Sequence, residues 1–329
     1  MGVIDGYPLT PEVLLGARRP VVLAGPGVVR TGNVDGLREL AQAAVVGVLN
    51  TWGAKGVFPW DDPHHLGTIG LQARDFELAG LGDADLIITT GLDPAEAPPA
   101  RWRLAPWVEI PPARLPEAAS WFGDRPPDRS VEALAKPPLW DLVAGVTQAG
   151  WANESLPLRP SRATRALAQA VGPDGLVVAD PGVAGFWVAR TFPTTTVGSV
   201  FVSSDRSQPG QAAAAALASR LAHPGRRVLL VADDPLDEPT LKVLATAEAL
   251  GTGFGVELWG DHGPQLGPVE HARRLVELAD PRHGGGDHCR TEQLCVDSGQ
   301  LQAMVAAAGP VIAWPEPPVS AGPQGAAVN

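Results

Sequence analysis

The chain has 329 residues, 45% of them hydrophobic, and a formal net charge of −11. That length predicts about two domains, each able to bury a core. An acidic chain repels phosphate backbones and anionic lipid, so nucleic acid and membrane surfaces are excluded as expected partners.

No apolar run reaches the ~18–20 residues needed to cross a bilayer. The opening MGVIDGYPLTPEV carries acid and proline where a signal peptide has a basic start and an apolar stretch. A soluble, cytoplasmic protein is expected. Two cysteines, Cys289 and Cys295, are too few for a disulfide framework.

In chain order, residues 1–17 read as a lead-in, with Thr10 as N-cap and Pro11 opening a short helix. Val21–Ala24 is an apolar run of buried-strand type ended by Gly25-Pro26-Gly27. Leu37–Ala44 has helical spacing, Val45–Leu49 is strand-like, Asp85–Thr90 is a strand ending at Gly91, and Val108–Ile110 is a third candidate. Prolines are dense from Pro111 to Pro160, which predicts a linker with helical pieces at Val131–Leu134 and Leu139–Val146.

The pattern then restarts. Helices are predicted at Ser161–Val171, Gln211–Leu221, Glu238–Leu250, Val269–Leu278 and Leu301–Ala308. Strands are predicted at Leu176–Ala179, Arg227–Ala232, Gly255–Trp259 and Val311–Trp314. Strands alternating with helices imply parallel sheets covered on both faces. The expected fold is α/β, with two doubly wound parallel-sheet domains over residues 1–150 and 151–317 and a disordered tail over 318–329.

Several constellations bear on chemistry. Gly25-Pro26-Gly27 after a strand reads as a tight turn or as a phosphate cradle; Arg30 stands where the G-x-G-x-x-G fingerprint needs its last glycine. His283, Asp287, His288, Cys289 and Cys295 hold zinc-type ligands, but their spacing fits no standard zinc pattern. His64 and His65 read as loop residues. Asp93 and Glu96 are a carboxylate pair in a strand-capping segment. Asp261-His262 are neighbours on one loop, which does not make a dyad. No Gly-x-Ser-x-Gly elbow supports a serine hydrolase. The ten tryptophans are scattered and are expected to fill interdomain surfaces.

Four ordered blocks carry a family resemblance: Arg19–Val28, Asn50–Pro59 (NTWGAKGVFP), Asp62–Gly70 and Ala84–Glu96, the last followed by Trp102. They resemble the central domain of thiamine-diphosphate (ThDP) enzymes of the acetolactate synthase type. In the second half, Val178-Ala179-Asp180-Pro181-Gly182 with Trp187, Gln208–Ala215 and His223–Val228 resemble that family's C-terminal, diphosphate-holding domain. The resemblance spans roughly residues 15–315 and omits the family's N-terminal pyrimidine-binding domain.

The resemblance implies ThDP and Mg²⁺, with Asp180, Gly182, Asp233, Asp234 and Gly260 at the cofactor and Asp233 and Asp261 on the metal. It also shows erosion. The family's Gly-Asp-Gly is Ala232-Asp233-Asp234, and its Asn-Asn falls near Gly260-Asp261. Glycine lets a backbone approach phosphate oxygens; Asp234 adds negative charge there, and Pro235 removes an N–H donor.

The family's activating glutamate belongs to the omitted domain, and no methionine or leucine stands near Arg206–Gln208 to stack under the cofactor. No residue of this chain is assigned a catalytic role. Two readings follow. One is a diverged scaffold or regulatory subunit, not catalytic alone. The other is one chain of a two-chain 2-oxo acid decarboxylase or carboligase. Either implies a homo-oligomer, or a hetero-oligomer with a chain carrying the pyrimidine-binding domain. FAD or ADP, bound by the central domain in some family members, is not expected here.

Overall fold

The computed structural model describes residues 10–123, 127, 128, 130, 134–281 and 288–314. Two five-stranded sheets are found, all of their strands parallel. In the first, β1 (Pro20–Ala24), β2 (Gly47–Thr51), β3 (His65–Ile69), β4 (Leu86–Thr90) and β5 (Trp107–Glu109) lie in the order β3-β2-β1-β4-β5. In the second, β6 (Leu176–Ala179), β7 (Val200–Val202), β8 (Val228–Asp233), β9 (Gly255–Gly260) and β10 (Arg290–Cys295) lie in the order β10-β9-β8-β6-β7. This is the doubly wound α/β architecture expected from the sequence.

The apolar runs explain the sheets. Parallel strands covered by helices are buried on both faces and need side chains without charge on either. Every residue of β2, β4 and β6 is buried. Val22 pairs with Val48 on one side and Ile88 on the other. Leu230 likewise sits between Val178 and Val256.

One face of the first sheet packs Val22, Val48 and Ile88 against Leu37 and Leu40 of the helix Val34–Ala44. That helix ends at Val45 in the left-handed region, φ 48°, where its N–H closes on Ala41 and Gln42 carbonyls. Val45 therefore belongs to the turn, and the strand expected from it begins two residues later, at Gly47.

Other expectations are corrected. β3, β7 and β10 are absent from the sequence reading because they are short edge strands or carry polar residues. Of the two histidines read as loop residues, His64 lies in a turn and His65 opens β3, and both are buried. The helix expected over Leu139–Val146 runs from Pro138 to Trp151.

Val311–Trp314 is not a strand of the second sheet. It reaches across to the first half, where Val311 bridges Gln72 and the Ile312 N–H donates to the Leu71 carbonyl. The tail over 318–329, the start of the lead-in and the helical piece at Val131–Leu134, except its last residue, lie outside the described residues.

The two sheet units share one core. Trp52 and Leu71 of the first half pack with Trp187, Met304 and Trp314 of the second, and the Trp52 and Trp314 rings lie 5.8 Å apart. Trp102 and Trp107 depart from the interdomain expectation and pack on each other beside the first sheet.

Candidate functional site

In an open parallel sheet, ligands bind where adjacent strands send their connections to opposite faces. The second sheet has this switch between β6 and β8. Its floor is Asp180-Pro181-Gly182 after β6 and Asp233-Asp234-Pro235 at the end of β8. Sequence reading placed cofactor and metal ligands in these same turns.

The crevice is closed by the protein itself. Asp233 Oδ2 accepts the Val183 N–H and Oδ1 accepts the Ala184 N–H, both at 2.8 Å. Val183 opens the helix Val183–Thr191, so the Asp233 carboxylate is the anion at that helix N-terminus. Gly182 makes this approach possible. It has φ 152°, and a Cβ there would stand 2.1 Å from Asp233 Oδ2.

Burial pushes the Asp233 carboxyl up, while the two amides and the charge of Arg206 act against it. Asp180 Oδ1 accepts the Ala212 N–H at 3.4 Å. Burial raises the Asp180 carboxyl to about 6, and Asp237 and Asp233 push the same way.

The other expected ligands lie along the next loops. The Asp234 N–H donates to the Trp259 carbonyl, and its Oδ2 accepts from Gln293 Nε2 at 3.3 Å. The Gly260 carbonyl accepts the Val296 N–H, and the Asp234 Cβ lies 3.4 Å from where a Gly260 Cβ would be. The Asp261 carbonyl accepts the Cys295 thiol, 3.4 Å from Sγ.

Thus Asp180, Gly182 and Asp233 form one cluster, and Asp234 sits against Gly260. Among the described residues no group of three or more His, Cys, Asp or Glu is placed to hold a metal. Mg²⁺ asks for near-octahedral oxygens, and a diphosphate asks for free N–H groups. Here the helix amides already hold Asp233, and the helix start offers only Val183 and Ala184 side chains. These residues do not fit Mg-ThDP.

The first sheet's switch, between β1 and β4, is also filled. The Gly25 N–H donates to the Thr90 carbonyl and the Gly27 N–H to the Gly91 carbonyl, at 2.9 and 2.8 Å. A Cβ on Gly25 would meet the Gly91 oxygen at 2.4 Å. The Gly-Pro-Gly turn packs on backbone, and its amides are not open to a nucleotide phosphate.

The remaining constellations separate. Asp93 pairs with Arg30 at 3.4 Å. Glu96 is buried and accepts the Gly53 N–H at 3.0 Å; burial raises its carboxyl to about 7. His65 joins the Trp60 carbonyl and Asn50 Oδ1. Cys289 approaches the Leu244 carbonyl while Cys295 lies in β10; His283 and Asp287 are outside the described residues.

Sequence reading did not single out the buried polar groups that matter most to this architecture. Arg190 donates to Asp75 across the two halves. Glu257 accepts from Trp259 Nε1 and joins His271 Nε2 at 2.6 Å. A faint signal existed: Arg190 is a lone charge in the apolar stretch Gly185–Phe192, and Glu257 a lone charge in Gly255–Trp259.

The comparisons with known proteins agree with the resemblance. Residues 11–107 match the family described as thiamine pyrophosphate enzyme, central domain. The chain is similar to an acetolactate synthase of Mycobacterium bovis, 26% identical over 334 residues, which covers 87% of this chain and 53% of that protein. It is also similar to the acetolactate synthase large subunit of Lactococcus lactis, 23% identical, covering 75% and 46%. A third relative is the catabolic acetolactate synthase of Raoultella terrigena, 24% identical, covering 84% and 54%. The chain spans about half the length of the curated relatives it matches. No helix among the described residues is long and apolar enough to cross a membrane.

Proposed function

We propose that this chain, a relative of the acetolactate synthase-like thiamine-diphosphate enzymes, acts as a scaffold or regulatory subunit and is not catalytic by itself. One observation carries the reading. The Asp233 carboxylate binds the Val183 and Ala184 amides with both oxygens, in the crevice where a diphosphate and its metal would have to sit. An internal anion there competes with an external one for the same donors.

The family's cofactor is thiamine diphosphate, and this crevice is closed to it as it stands. What the fold offers is a pair of sheet units tied through a shared core, a surface suited to association. The proposed partner is a second copy, or a chain supplying the pyrimidine-binding domain.

A second reading has one observation in its favour: Asp180, Gly182 and Asp233 still meet at the sheet's switch point. In it, a partner chain draws Asp233 off the helix and Mg-ThDP binds, for chemistry on a 2-oxo acid. Titration calorimetry with Mg-ThDP, on the protein alone and with any co-purifying chain, separates the two. The scaffold reading expects no saturable binding in either arm. Stoichiometric binding with the partner, together with turnover of pyruvate, would overturn it.

A further inference from the structure

Away from both crevices, a partly enclosed cavity of ≈ 50 Å³ lies between the edge strand β3, the helix Pro138–Trp151 and the end of the helix Val183–Thr191. That is several times the space one ordered water requires. Leu139, Trp140, Val143 and Phe192 give it apolar walls.

Three of its lining residues carry donors that lack partners. Lys55 is 7% exposed, and its ammonium has no hydrogen bond or ion pair among the described residues. Thr147 Oγ1 and Arg190 Nε are buried without a hydrogen-bond partner. Buried polar groups are normally satisfied, and a buried ammonium without a counter-ion is strongly disfavoured.

The charges around the cavity leave a vacancy for an anion. No carboxylate is among the described lining residues. Arg190 is engaged by Asp75 at 2.8 Å and by the Thr68 carbonyl at 2.9 Å. Asp75 also accepts the Leu71 and Gln72 N–H groups, so it has nothing left for Lys55. Burial pushes the His65 imidazole down to about 3, so it stays neutral. Lys136 stacks on Trp140 with its ammonium held by the Asp62, Pro63 and His65 carbonyls.

We propose that this cavity is a binding site for a small aliphatic monocarboxylate of acetate size. Its carboxylate lies against the Lys55 ammonium and the Thr147 hydroxyl, and its alkyl end against Leu139, Val143 and Trp140. Several polar donors in an otherwise apolar recess is the usual make-up of a small-molecule site. An ionised carboxylate supplies the counter-charge and acceptor oxygens that Lys55 lacks.

Binding should be coupled to protonation. Burial and the Arg190 charge lower the Lys55 ammonium to about 7. A carboxylate prefers the charged form, so while the ligand itself stays ionised its affinity is highest below that pH and falls above it, about tenfold per pH unit.

Acetate is the probe, with acetamide as the uncharged probe of the same shape. Saturation-transfer NMR and titration calorimetry at pH 6.0 and 8.5 are expected to show millimolar acetate binding at pH 6.0. The affinity should fall tenfold or more at pH 8.5, with no saturable binding of acetamide. Lys55→Met is expected to abolish acetate binding while keeping cooperative unfolding, and Thr147→Val to weaken it several-fold. Should Lys55→Met fail to fold, the wild-type pH dependence and Thr147→Val decide. No saturable acetate binding at pH 6.0, equal affinity at the two pH values, or equal binding of acetamide would overturn the site.

Discussion

Arg190 donates to both carboxylate oxygens of Asp75 at 2.8 Å, and both side chains are buried from solvent. Arg190 sits near the end of the helix Val183–Thr191 of the second unit; Asp75 starts the short helix Asp75–Leu78 of the first. The pair is surrounded by hydrogen bonds that also cross between the halves. Gln72 Nε2 donates to the Met304 and Gly309 carbonyls, and Arg190 Nη1 donates to the Thr68 carbonyl. The two sheets therefore meet through a hydrogen-bonded polar knot inside an apolar contact.

Removing one partner leaves the other charge buried and alone. Arg190→Met and Asp75→Asn are each expected to destabilise the protein by roughly 3–5 kcal/mol. Changing both, Arg190→Met with Asp75→Asn, should cost less than the sum of the two single changes, because no charge is then stranded. Urea unfolding followed by fluorescence measures this. Additive losses would show that the pair does not act as a unit.

Asp233 acts through the same logic at the crevice. Asp233→Ala strands the Val183 and Ala184 amides and should cost roughly 1–3 kcal/mol. Asp233→Asn, which keeps one acceptor oxygen, should cost less. Gly182→Ala is expected to be at least as damaging as Asp233→Ala, since its Cβ would strike Asp233 Oδ2 from a backbone that only glycine adopts easily. Thermal unfolding of the three variants tests the order. A Gly182→Ala protein as stable as wild type would remove the steric argument.

Glu96 and Lys55 give stability a pH profile with opposite limbs. The buried Glu96 carboxyl is raised from 4.5 to about 7. The folded state thus keeps a proton that the unfolded chain releases, and Glu96 contributes stability that is full below pH 4.5 and lost as pH rises through 7. Lys55 is lowered from 10.5 to about 7. Its ammonium penalises the fold below pH 7, and the penalty fades as pH rises toward 10.5. Each limb amounts to a few kcal/mol.

Glu96→Gln should flatten the acid limb and Lys55→Met the alkaline limb, read from urea midpoints between pH 4.5 and 10. Stability differences from wild type that do not vary with pH would contradict both burials.

By itself, the sequence determined the two parallel sheets. Apolar runs such as Val21–Ala24, Leu86–Ile88 and Val228–Ala232 read as strands covered on both faces, and their alternation with helical segments gives the doubly wound class, though not the edge strands β3, β7 and β10. It also shows Ala232-Asp233-Asp234 where the family it resembles has Gly-Asp-Gly.

The tertiary structure alone decided where charges go. That Asp233 faces Val183, that Arg190 finds Asp75, and that Lys55 is enclosed without an acid beside it are contacts between residues 50, 115 and more positions apart, or between elements packed in space. Local periodicity records which face of a strand or helix is dry. It carries no record of which distant polar group arrives there, because that depends on how whole sheets and helices pack.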